Sequence, residues 1–260
     1  TAVWFNSAFH RDNFLDALIA WLRRMPDYQP LAAVARIRAK SYVQPPGTEE
    51  FPPRGPRAPG PLRILWAARW EHDKDPDTFF AALSLLKTRG VPFRLSVIGE
   101  QFRASPPVFA EARERFRAEI DRWGYQATRA DYVTALLDAD VIVSTAAHEF
   151  FGLSVIEALA AGCYPLLPRR LAYPELVSHA PPDDRDGYLY DGAAPQLADR
   201  LAELAASVEH GRLWRGDPDC GRRLTARFAW AQRAAEMDAA LEALAQRRPS
   251  LTEDNPDAST

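Results

Sequence analysis

The sequence predicts an α/β fold, a parallel sheet with flanking helices. Three observations carry this reading. From residue 62 onward, apolar strand-like runs alternate with stretches of helical periodicity. The joins between them bear helix start and stop residues, most plainly Asp75-Pro76 and Gly90. The chain has 260 residues, 47% hydrophobic and 26% charged, enough to bury a sizeable core. Strands that alternate with helices call for parallel pairing through right-handed crossovers.

Taken in order, Val3-Trp4-Phe5 reads as a strand, followed by a helix with Phe14, Leu15, Leu18, Ile19 and Leu22 at apolar positions. Such a unit cannot bury both faces, so it is expected to belong to a sheet whose other strands lie elsewhere. Because the chain opens at Thr1 almost directly on that strand, it is expected to be a piece of something longer. Residues 44–61, rich in Pro, Gly and charge, read as an extended linker or surface loop. Leu62 to Ala67 is strand-like, and Phe79, Phe80, Leu83 and Leu86 repeat at helical spacing between Asp75-Pro76 and Gly90. Phe93 to Gly99 is a second strand, 106–121 a charged helix, Trp123-Gly124-Tyr125 a short strand and 131–138 a short helix. Val141-Ile142-Val143, a helix over Leu153 to Ala161 and a strand over Cys163 to Leu167 follow. Tyr188-Leu189-Tyr190 and a helix over 195–208 close the alternation.

Composition excludes some classes. A formal net charge of −3 argues against a protein that holds nucleic acid mainly by a basic field. Two cysteines make no disulfide framework, so a reducing compartment is expected. No apolar run approaches the roughly 18 residues needed to span a membrane, and no signal peptide is visible.

Three clusters can carry chemistry. Glu149 and Glu157 lie eight positions apart around Gly152, between an apolar strand and an apolar helix. At about 3.6 residues per turn, Glu149 falls in the loop and Glu157 about a turn into the helix. Ligands bind at that edge of open α/β sheets. Phe150 and Phe151 are expected to be exposed, and Leu153, Ile156 and Leu159 to pack inward. The competing account is a tight connection with a solvated Glu149 and a Glu157 that favours the helix N-terminus unaided. The second cluster, Arg69-Trp70-Glu71-His72-Asp73-Lys74, can aim two cations at an anion over a helix start. It reads equally as a turn in which Glu71 and Asp73 neutralise them. The third, Gly99-Glu100 after a strand, allows close backbone approach by a ligand or simply makes a turn. No Gly-x-Gly-x-x-Gly fingerprint occurs, so a dinucleotide-dependent dehydrogenase is unsupported.

At these residues the chain resembles a known family. HEFFGLSVIEALAAGCYPLLP is similar to the Glu-x₇-Glu signature of retaining GT-B glycosyltransferases of family 4. ARWEHDKDPDTFF resembles that family's Arg-x₄-Lys segment. WEHDKDP, HEFFG and GCYPLLP-x₄-YPE resemble the tRNA-queuosine α-mannosyltransferase group, as do the opening FNSAFHRDNFL and the closing Phe228-Ala229-Trp230. Glu100 and Gln101 stand where many members have a second glycine.

The resemblance implies a Rossmann-like, nucleotide-sugar-binding C-terminal lobe of a GT-B fold over 62–227. Residues 1–43 would be the tail of an N-terminal acceptor lobe, 44–61 the linker, 228–247 a closing helix and 248–260 a disordered tail. Glu149, Arg69 and Lys74 would be catalytic, with Glu149 on the donor sugar and the two cations on the diphosphate. Glu157 would accept the ribose hydroxyls. Gly99, Glu100, Tyr125, His148, Phe150, Phe151, Gly152 and Leu153 would complete the donor site, with the base near Trp123-Gly124-Tyr125. The implied reaction is transfer of mannose from GDP-mannose, with retention and without a metal, to queuosine in tRNA, in the cytoplasm. A non-catalytic donor-binding lobe and a family 4 enzyme with another acceptor remain as alternatives. With only the tail of an acceptor lobe, the chain is expected to bind donor and transfer sugar poorly. Arg222, Arg223, Arg227 and Arg233 are candidates for RNA contact, against an ordinary solvated helical surface.

Overall fold

The computed structural model describes residues 1–213, 217 and 219–246. Its centre is a six-stranded, wholly parallel sheet of β3 (Leu62–Ala67), β4 (Phe93–Ile98), β5 (Ile120–Gly124), β6 (Val141–Val143), β7 (Tyr164–Pro168) and β8 (Leu189–Tyr190). The strand order is β5-β4-β3-β6-β7-β8. From β3 the chain steps outward through β4 to β5, then returns to pair β6 on the other side of β3. That reversal opens a crevice at the carboxyl ends of β3 and β6, where ligands of open α/β sheets bind.

Strand periodicity sorts the side chains onto two faces. Ile64, Trp66, Leu95 and Val97 pack with α3 (Pro76–Thr88), α4 (Val108–Arg115) and α9 (Ala194–Glu209). Leu65, Ala67, Ile142 and Leu167 pack with α5 (Arg129–Asp138), α6 (Leu153–Ala160), α7 (Tyr173–Val177) and α10 (Cys220–Thr225). With helices on both faces, the strands are buried on both sides and read as near-continuous apolar runs. The helix signals hold at α3: Asp75 Oδ1 accepts Thr78 N–H at 3.2 Å, Pro76 opens the helix and Gly90 follows it with positive φ.

The smaller unit pairs β1 (Val3–Phe5) in parallel with β2 (Ser41–Val43), with α1 (Ala8–Leu22) and α2 (Leu31–Ala39) between them. Its core is Leu15, Leu22 and Val34. It docks on the central sheet's helices through Glu175, whose carboxylate accepts the Ala8 and Phe9 N–H groups at 3.0 Å each. A carboxylate on the first turn of α1 also meets the positive end of its dipole. The closing helix α11 (Trp230–Gln246) lies beside the same unit, its Ala240 and Leu244 lining a cavity with Trp4 and Tyr42, and its Arg233 donates to the Pro45 carbonyl just beyond β2 at 3.0 Å.

Several elements differ from expectation. The helix expected over 106–121 ends at Arg115, and β5 begins at Ile120 rather than Trp123. Its polar Asp121 and Arg122 hide an edge strand behind a charged helix. The sequence reading also missed α2, β2, α7 and α8 (Pro182–Tyr188). Residues 44–61 contain no helix or strand, but they are not loosely tethered. Phe51 is buried, and Arg54 and Arg57 both bind the fully buried Asp140. The tail expected over 248–260 lies outside the described residues. No described helix is long and apolar enough to cross a membrane.

Candidate functional site

The loops leaving β3 and β6 meet over the crevice and are stitched together. Asp73 O accepts Ala147 N–H at 2.8 Å, and Lys74 O accepts the Thr145 hydroxyl at 2.8 Å. The β3 loop is anchored from beneath by Trp70, which stacks on Phe109 at 4.0 Å and donates its backbone N–H to Glu100 O at 2.9 Å. Gly99 makes that approach sterically feasible: a Cβ there would lie 1.8 Å from Ala68 O. Its side-chain-free edge therefore faces the chain's own loop. Glu100 is exposed at the same rim.

Lys74 is the charged centre of this stitching. Its side chain is only 12% exposed, and Nζ donates to His148 O at 2.8 Å. It also pairs with Asp73 at 3.2 Å and with Glu149 at 3.5 Å. Arg69 is exposed and turned to Glu71 at 3.0 Å. Both cations thus have acidic neighbours, as the mixed-charge account expected, yet Lys74 also faces Glu149.

Glu149 is held from its other side. Its Oε1 accepts the N–H groups of Phe150 at 3.0 Å and Phe151 at 3.2 Å. Gly152 then opens α6 from the left-handed region, φ 85°, with no side-chain cap. The first-turn N–H groups of α6, beginning at Leu153, point toward the crevice end of the helix, where an anion is favoured. A Cβ at Gly152 would also meet the Tyr173 ring at 3.2 Å. Gly152→Ala is expected to lower stability by about 1–2 kcal/mol, the left-handed penalty of an L-residue. Thermal unfolding measures it, and an unchanged midpoint would refute the argument.

Two expectations about this loop are corrected. Phe151 is buried rather than exposed, because its ring packs edge-on against Phe228 at 5.3 Å. Leu153 is exposed rather than packed, whereas Ile156 and Leu159 fill the core as expected. Phe150 is exposed as expected, and His10 of α1 stacks on it at 4.3 Å. His148 is exposed beside it, and Tyr125 is exposed beyond the end of β5.

Glu157, one turn into α6, lies apart from Glu149 and has its own partners. Tyr132 donates to Oε2 at 2.6 Å and Arg129 to Oε1 at 3.1 Å. Arg129 also pairs with Glu49 at 2.9 Å. Tyr132, Arg129 and Glu49 were missed in the sequence. A usable signal was present: Thr128 and Asp131 cap the start of α5, which puts residues 129 and 132 on one face.

The four candidate RNA-contact arginines each have partners within the chain. Arg222 binds the Phe51 carbonyl, Arg223 Asp217, Arg227 the Leu176 carbonyl, and Arg233 the Pro45 carbonyl. Three of these partners lie in loops and the Leu176 carbonyl in α7, and Arg233 is buried.

A doubly covered parallel sheet with a crevice at its reversal point is a Rossmann-like arrangement of the kind that forms each lobe of GT-B glycosyltransferases. The chain belongs to the group 1 glycosyl transferases, whose family model matches residues 47–213. Residues 1–48 match the model of the tRNA-queuosine alpha-mannosyltransferase N-terminal region. The tRNA-queuosine alpha-mannosyltransferase of Drosophila melanogaster is 34% identical over 185 residues, covering 67% of this chain and 49% of that protein. A GDP-mannose-dependent alpha-(1-6)-phosphatidylinositol dimannoside mannosyltransferase of Mycobacterium tuberculosis is 28% identical over 187 residues, 72% of this chain and 45% of that protein. The crystal structure of a glycosyltransferase from Rickettsia africae superposes with a TM-score of 0.71 at 15% identity, covering 95% of this chain and 64% of that one. The chain thus spans about half the length of the first two relatives.

Proposed function

We propose that the chain binds a nucleoside diphosphate sugar in the β3–β6 crevice and serves retaining transfer of mannose from GDP-mannose to queuosine in tRNA, in the cytoplasm. The observation that carries the reading is the pairing of Lys74 and the uncapped start of α6 with Glu149 between them. Breaking a sugar–diphosphate bond develops positive charge on the sugar ring and negative charge on the departing phosphate. Lys74 and the helix-start N–H groups of Gly152 and Leu153 meet the negative charge, and their fixed geometry lowers the barrier without reorganisation, with Arg69 adding an exposed cation at the rim. Glu149, oriented by two backbone N–H groups, accepts hydroxyls of the donor sugar. Glu157 takes the ribose, and the rim formed by Gly99, Glu100 and Tyr125 takes the base.

The donor assignment draws support from the two mannosyltransferase relatives, one of them named for GDP-mannose. The acceptor assignment draws on the match of residues 1–48 and on the Drosophila relative. No metal enters this reading, in which Lys74 and the helix-start N–H groups meet the charge of the diphosphate. Asp73 pairs with Lys74, and Asp75 caps α3.

Calorimetric titration with GDP-mannose, UDP-glucose, GDP and UDP, with and without EDTA, tests this. Guanine nucleotides are expected to bind more tightly than uridine nucleotides, and EDTA to leave affinity unchanged. Tighter uridine binding would overturn the donor, and binding abolished by EDTA and restored by a divalent ion would overturn metal independence.

A further inference from the structure

Glu157 is the fifth residue of α6, its side chain is 15% exposed, and each of its oxygens already has a partner from α5. The Tyr132 hydroxyl donates to Oε2 at 2.6 Å, and Arg129 Nη2 donates to Oε1 at 3.1 Å. Burial, and then the neighbouring Glu157 charge, push the Tyr132 phenol well above its ordinary range, so it stays a donor. Arg129 is fixed in its turn. Its guanidinium lies over the rings of Phe51 at 5.5 Å and Tyr132 at 5.0 Å, and it pairs with Glu49.

A terminal carboxylate torsion is otherwise broad, and a carboxylate offers about four acceptor directions. Tyr132 and Arg129 fill one on each oxygen and so fix its plane. One direction is left on each oxygen, which matches two neighbouring O–H donors. We propose that Tyr132 and Arg129 are positioning residues that set Glu157 to receive both hydroxyls of a ribose 2′,3′-diol, making the site selective for ribonucleotides over deoxyribonucleotides. The proposal rests on the reading of Glu157 as the ribose contact.

Tyr132→Phe removes the hydroxyl and keeps the ring under Arg129. Dissociation constants are measured by calorimetry for GDP and 2′,3′-dideoxy-GDP, with the uridine pair in parallel, on the unaltered chain, Tyr132→Phe and Glu157→Gln. In the unaltered chain, loss of the diol is expected to weaken binding about tenfold or more, the scale of hydrogen bonds to a charged group. In Tyr132→Phe that ratio is expected to fall to about threefold, the scale of one weakened bond, while dideoxy-GDP binds as before. A merely structural role for Tyr132 would weaken both nucleotides alike and preserve the ratio, which would overturn the proposal. A ratio lost in Glu157→Gln but kept in Tyr132→Phe would overturn the positioning role and leave Glu157 as the ribose contact. No ratio in the unaltered chain would overturn the reading of Glu157 itself. Should Tyr132→Phe fail to fold, Arg129→Gln reports the same ratio from the other oxygen, and an unchanged ratio there overturns the proposal.

Discussion

Replacing Asp140 with alanine is expected to destabilise the chain by about 3–5 kcal/mol, the loss typical when one partner of a buried ion pair is removed. Asp140 immediately precedes β6 at the end of the sheet opposite the crevice and is fully buried. Its Oδ1 accepts Arg57 Nε at 2.8 Å and Arg54 at 3.3 Å, and its Oδ2 accepts Arg57 Nη2 and the Arg63 N–H at 2.8 and 2.9 Å. Every acceptor direction of the carboxylate is thereby used, so its burial is compensated. Alanine would leave two guanidinium groups, 15% and 25% exposed, without their counter-charge. It would also release the segment over 44–61 from the sheet. Urea unfolding reads the change as a lower midpoint at an unchanged slope, and faster proteolysis within 44–61 should accompany it. A loss below about 1 kcal/mol, the worth of an exposed ion pair, would mean that water replaces Asp140 as a partner.

Asp140 also marks where the sequence stops being readable. Elements whose cause is local were legible: the Asp75-Pro76 start and Gly90 stop of α3, the apolar run of β3, and the strand–glycine–helix junction around Gly152. Elements whose cause is tertiary were not. Ile120-Asp121-Arg122-Trp123 becomes a strand because β4 offers it a parallel edge, a fact absent from its own composition. Arg54 and Arg57 read as loop charges because their partner lies more than eighty residues away. The same limit applies in the candidate site. Its acids and cations were legible from spacing and resemblance, but not their partners: Tyr132 reaches Glu157 across 25 positions and two helices. The partners of Arg222, Arg227 and Arg233 were hidden for a related reason. Arginine spacing on a helix carries no record of the backbone carbonyls that other segments bring to it.

Lys74→Met is expected to weaken nucleoside diphosphate binding by about 30- to 100-fold, the scale of one or two charge-assisted hydrogen bonds. The charge arrangement explains why Lys74 rather than Arg69 should dominate. Arg69 is exposed and screened by solvent, so its pairing with Glu71 contributes little either way. Lys74 is nearly buried between Asp73 and Glu149, where its field is less screened and its position is fixed by the His148 carbonyl. Methionine keeps the length of the stem and removes the charge. Two carboxylates then face one another across the space Lys74 bridged, and that repulsion acts against any diphosphate brought near α6. Binding of GDP and of guanosine to both chains separates two causes. A loss confined to GDP places Lys74 at the phosphates. An equal loss for guanosine would mean that the β3 and β6 loops had come apart, and a loss of GDP affinity under threefold would remove Lys74 from the donor site. Salt gives an independent readout: because Lys74 is nearly buried and little screened, the affinity gap for GDP between the unaltered chain and Lys74→Met should change little as ionic strength rises.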